Sequence, residues 1–96
     1  MTTSKAILFV QEGCAPCRMV KDHLNSVLTK DPGYGRHISV MKGSKYPVLV
    51  EASQVKMFPT LLIIDSEGEE IGRLVGGRNI AVDLRGVLFA LYSINE

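Results

Sequence analysis

With 96 residues, the chain has the length of one domain. Hydrophobic residues make up 46% of it, enough for a core, although burying that core at this size requires a compact fold with short loops. The 11 basic and 10 acidic residues leave a net charge of +1 and form no like-charge run, so nothing in the charge points to a nucleic acid or an anionic membrane as partner.

Met1 to Lys5 lead into Ala6-Ile7-Leu8-Phe9-Val10, an apolar run too short to span a bilayer. Gln11, Glu12 and a cysteine pair follow it, not a small-residue cleavage site, so it reads as a strand buried on both faces. A cytoplasmic protein is therefore expected, since a small secreted domain would carry more than two cysteines. The next segment predicts a helix. Cys17, Val20, Leu24, Val27 and Leu28 recur at three- and four-residue steps, and Pro16 fits the first turn, where its missing N–H costs nothing. Lys30 to Gly35 stops that helix. A short strand is expected over His37 to Met41, and one or two helical turns within Ser44 to Ser53, with Pro47 near their start. Leu61 to Ile64 and Glu69 to Val75 read as a hairpin around the turn Asp65-Ser66-Glu67-Gly68. Gly76-Gly77-Arg78 breaks the pattern. A last helix is expected over Ile80 to Ile94, with Asn79 as N-cap and an apolar face of Val82 or Ala81, Leu84, Val87, Leu88, Leu91 and Tyr92. Gly86 inside it costs about 1 kcal/mol against alanine. The predicted order is strand–helix–strand–helix–strand–strand–helix. Its first strand–helix–strand unit is parallel, and the added hairpin makes the sheet mixed.

The sharpest chemical signal is Cys14-Ala15-Pro16-Cys17, placed directly after a buried strand and opening a helix. A thiolate is the reactive form of cysteine. For such chemistry its pKa must fall from about 8.5 to roughly 3.5–7.5. Helix N-termini favour an anion through unpaired N–H groups and the positive end of the dipole. Cys14 is therefore the expected attacking sulfur and Cys17 the resolving one, with Arg18 at helical spacing from Cys14. A closed zinc site needs four ligands. The chain offers only these cysteines with His23 and His37, which read as surface or boundary residues, so no metal is expected.

Strand, Cys-x-x-Cys, helix and a later X–Pro opening a strand resemble the thioredoxin/glutaredoxin superfamily. Cys14-Ala15-Pro16-Cys17-Arg18 is similar to a thioredoxin active-site motif. Phe58-Pro59-Thr60-Leu61-Leu62 is similar to the loop and strand carrying the family's cis-proline. The likeness runs from Ala6 to about Tyr92. It implies a minimal thioredoxin fold of the α/β class: one domain over residues 1–96, with a four-stranded mixed sheet flanked by three helices. It also implies a cis bond before Pro59, beside the cysteine pair. The backbone of Phe58 would then be open to an extended substrate segment.

Within the superfamily the signals are mixed. The first strand starts at once, as in glutaredoxins. Gly13 stands where thioredoxins have tryptophan, and Leu8 where they have a buried acid. Gly76-Gly77 resembles the glutaredoxin pair whose amides hold a glutathione carboxylate. Asn79 falls near that family's acidic position, and Arg78 is a candidate carboxylate partner. Gln11, in contrast, replaces a glutathione-contacting lysine, and Ala15-Pro16 replaces Pro-Tyr.

The resemblance implies a dithiol–disulfide oxidoreductase that acts on protein or small-molecule disulfides. No bound cofactor is expected, and glutathione or an NADPH-dependent reductase would recycle it. By family analogy, an enzyme that reduces ribonucleotides is a reasonable client. Substrate contacts are expected from Ala15, Pro16, Met57, Phe58, Pro59, Gly76, Gly77, Arg78 and Asn79, in a monomer. A non-catalytic docking subunit on the same fold, and a metal or cluster carrier, are the competing readings.

Overall fold

A computed structural model describes residues 3–96. The chain forms β1 (Lys5–Val10), α1 (Ala15–Lys30), β2 (Ile38–Lys42), α2 (Pro47–Ala52), β3 (Thr60–Ile64), β4 (Glu70–Val75) and α3 (Gly77–Asn95). Short 3₁₀ turns occupy Pro32–His37 and Gly43–Lys45. The element order is the one read from the sequence. The strands lie in the order β2-β1-β3-β4. β1 pairs parallel with β2, with Val10 opposite Lys42, and antiparallel with β3, with Phe9 opposite Thr60. The hairpin β3–β4 completes the mixed sheet.

β1 is buried on both faces, and its alternation assigns the two cores. Ala6, Leu8 and Val10 point to one side, where they meet Cys17, Val20, Leu24 and Val27 of α1 and Ile80, Leu84, Leu88 and Leu91 of α3. Ile7 and Phe9 point to the other side and pack with Leu62, Val55, Leu49 and Val50. Two helices thus cover one face, and the short α2 with its trailing loop covers the other. Among the described residues no helix is long and apolar enough to cross a membrane.

Three local expectations are corrected. The glycine pair does not break the chain before α3. Gly77 is already helical, Gly76 is the N-cap, and Asn79 lies inside the first turn, where its Nδ2 donates to the Val75 carbonyl at 2.9 Å. Ile80 N–H donates to the Gly76 carbonyl at 3.1 Å, which starts the helix earlier than an asparagine cap at 79 would allow. Second, Val82 is 76% exposed, and the inward stripe passes through Ile80, Leu84, Leu88 and Leu91 instead. Third, His37 ends a 3₁₀ turn rather than starting a strand, and it is buried. Its Nε2 lies 3.1 Å from Glu96 Oε2, its Nδ1 lies 3.1 Å from Asn95 Nδ2, and Tyr92 packs edge-on against its ring. Those partners lie at the far end of the sequence, beyond the reach of a local pattern. Asn95 also bonds both backbone groups of Ser4, so α3 is fastened to the start of β1.

The stripe of α3 sets a stability test. Leu84→Ala removes a fully buried side chain and is expected to cost about 2–5 kcal/mol. Val82→Ala is expected to stay within about 0.5 kcal/mol of the parent, and urea unfolding of the two variants measures both values.

Candidate active site

β1 ends at Val10, and Gln11-Glu12-Gly13 carries the chain to α1. Gly13 has a φ of 69°, a left-handed turn that glycine adopts freely, and it swings Cys14 into the N-cap position. Cys14 caps the helix with sulfur. The Cys17 N–H donates to Cys14 Sγ at 3.2 Å. The two cysteines form a disulfide with their Cα atoms 5.2 Å apart. Cys14 is half-buried at the surface, whereas Cys17 is 2% exposed and belongs to the core between α1 and α3. Access to the two sulfurs is therefore unequal.

The second wall comes from the loop before β3. The Phe58–Pro59 peptide bond is cis, as the resemblance implies, and Pro59 is buried. The Phe58 carbonyl oxygen lies 3.7 Å from Cys14 Sγ. Thr60 donates its hydroxyl to the Met57 carbonyl at 2.6 Å and so fastens the loop, while the Met57 side chain stands exposed beside it.

The third wall is the start of α3. Gly76 N–H donates to the Pro59 carbonyl at 3.0 Å, so this amide is engaged within the protein. Gly76 has a φ of 94°, a region that side chains rarely enter. Gly77 is buried against the start of α1. A Cβ there would stand 3.0 Å from both Pro16 Cβ and Met19 Cε.

Of the residues singled out from sequence, Cys14, Pro16, Cys17, Phe58, Pro59, Gly76 and Gly77 meet in this way. Ala15 is exposed at the first position of α1. Arg78 and Asn79 are exposed on the first turn of α3, with the Asn79 amide directed back to Val75.

Solved structures share this fold. The germline-specific thioredoxin Deadhead of Drosophila melanogaster superposes with a TM-score of 0.72 at 20% identity, over 93% of this chain and 81% of that one. The thioredoxin of Malassezia sympodialis gives 0.73 at 17% identity, over 94% of this chain and 76% of that one. The thioredoxin of Trypanosoma brucei brucei gives 0.71 at 19% identity, covering 95% and 76%. The chain has a thioredoxin fold. No protein-family model matches the sequence, and no curated protein matches it.

The thioredoxin fold here gathers charged residues of which motif reading found only Arg18. A cleft of about 220 Å³ beside the disulfide is lined by Glu12, Arg18, Lys21 and Lys42 together with both cysteines. Lys42 Nζ donates to Glu12 Oε1 at 3.0 Å, and this bond, with the charge of Lys42 and of Lys45, holds the Glu12 carboxyl below the usual carboxylate range. Lys21 lies one helical turn beyond Cys17 and could have been found from that spacing. Lys42 reaches the cleft only because β2 pairs with β1 in a register that sets it opposite Val10. Leu8 is a fully buried core residue.

The contact at Gly77 gives a local test. Gly77→Ala presses a methyl group on the Pro16 ring, which the first helical turn holds in place, and is expected to cost about 1–3 kcal/mol. Gly86→Ala, in open space on the same helix, is expected to gain up to about 1 kcal/mol. Urea midpoints of the oxidised proteins measure both.

Proposed function

We propose that the protein is a thiol–disulfide oxidoreductase that reduces protein or small-molecule disulfides by dithiol exchange. The observation carrying this reading is the unequal pair at the helix start: an accessible Cys14 whose sulfur accepts an N–H bond, joined to a buried Cys17. The likeness to thioredoxin structures supports it at the level of fold.

In the reduced protein, the Cys17 N–H and the other free amides of the first turn favour the Cys14 thiolate over the thiol. That thiolate attacks one sulfur of the client disulfide. A Cys14–client disulfide forms, and one client thiolate leaves. The Cys17 thiolate then attacks Cys14 Sγ, forming the Cys14–Cys17 disulfide and releasing the second client thiolate. Two electrons pass from the cysteine pair to the client, and two electrons from glutathione or an NADPH-dependent reductase restore the pair. The cis-Pro59 loop offers Phe58 backbone beside Cys14, suited to pairing with an extended client segment. A glutathione carboxylate would use Gly77 and the following turn of α3 rather than the engaged Gly76 amide. A cytoplasmic monomer is the setting in which a reducing role of this kind is useful.

Equilibration of the Cys14–Cys17 pair against glutathione, followed by mass, tests the proposal. A reversible intramolecular disulfide is expected, and its absence would sink the enzyme reading in favour of a docking subunit. A glutathione adduct on Cys14 would place recycling with glutathione. A disulfide without an adduct would place it with a reductase. Cys14→Ser is expected to abolish turnover, and Cys17→Ser to accumulate the mixed disulfide on Cys14.

A further inference from the structure

We infer that the groove between Phe58 and α2 selects disulfide clients with an arginine or lysine near the attacked cysteine. This rests on the oxidoreductase reading and adds a substrate preference to it. The groove has a volume of about 570 Å³ and shares Phe58 with the site. Its carbonyl faces Cys14 Sγ, and its side chain lines the groove with Pro47 and Val50. Gly43 fixes that ring. A Cβ at Gly43 would stand 2.8 Å from two carbons of Phe58, so only glycine lets the ring lie where it does.

The charged residues that line the groove are acidic. They are Glu12 and Glu51, whereas the cleft on the cysteine side shares Glu12 and adds Arg18, Lys21 and Lys42. Glu12 is offset by Lys42, to which it is bonded, and by Lys45. Glu51, exposed on α2, makes no ion pair among the described residues, so it is the lining charge of the groove that no salt bridge offsets. An apolar floor under one free carboxylate matches a side chain with an aliphatic stem and a cationic head. A client held by its backbone beside Cys14 would lay such a side chain over Phe58 and bring its charge to Glu51. An acidic side chain in the same place would leave its charge next to a like charge.

Peptides with one internal disulfide provide the test. Arginine or glutamate is placed in turn at each of the three residues flanking the attacked cysteine on either side. Reduction by the pre-reduced protein is followed as kcat/KM. At the best position arginine is expected to exceed glutamate by about threefold to tenfold, in line with a single charge pair at a partly screened site. The ratio is expected to fall towards one in about 0.5 M salt, to shrink in Glu51→Gln and to invert in Glu51→Lys. Ratios near one at every position, or a ratio unchanged in Glu51→Gln, would overturn the inference. Bis(2-hydroxyethyl) disulfide separates the two readings. If the wild-type protein reduces it without preferring arginine peptides, the groove assignment alone fails. If the wild-type protein reduces neither it nor any peptide, the oxidoreductase reading fails, and this inference with it.

Discussion

The pairing of β1 with β3 is the constraint on which the site depends. Phe9 stands opposite Thr60, so the residues just before Thr60 must lie beside the residues just after Val10. That register brings the cis-Pro59 loop to Cys14. It is held by the two-sided burial of β1, because a slip of one residue would turn Ala6, Leu8 and Val10 out of the larger core and Ile7 and Phe9 into it. The cysteines themselves are three positions apart and need no sheet to meet. What the sheet supplies is their surroundings: the Phe58 carbonyl from the loop leading into β3, Lys42 from β2, and, through the Gly76–Pro59 bond, the start of α3.

The features legible in the sequence were those with a short-range cause. The α1 stripe follows from helical periodicity, and its buried positions Cys17, Val20, Leu24 and Val27 match the expected face. The cysteine pair, Pro16 and the X–Pro before a strand are local motifs, and they meet in the structure. The features that were not legible had partners elsewhere in the chain. His37 is buried by residues near Glu96, and nothing around His37 itself signals that. Asn79 has the chemistry of a cap, but the Gly76 carbonyl had already been recruited to start the helix. Gly43 reads as a loop glycine until the Phe58 ring is found against it.

The site combines a rigid frame with selective exposure. Cys17 is immersed among Val20, Leu84 and their neighbours, and Cys14 is held at the rim by the helix end. Apolar side chains nearby, including Met57 and Met19, remain at the surface. They add soft, adaptable apolar area to the surface near the site.

The strand order leaves β2 and β4 as the open edges of the sheet, and an open edge is a template for self-association. Both are poor templates here. β4 pairs with β3 through a bulge at Ile63/Ile64, and its Arg73 is locked to Glu70 and to the carbonyls of Ser53 and Gln54. β2 is only five residues long and ends in Lys42. The bare backbone and apolar side chains exposed at the site therefore belong to a molecule whose sheet margins are themselves poorly shaped for pairing with further copies of the chain.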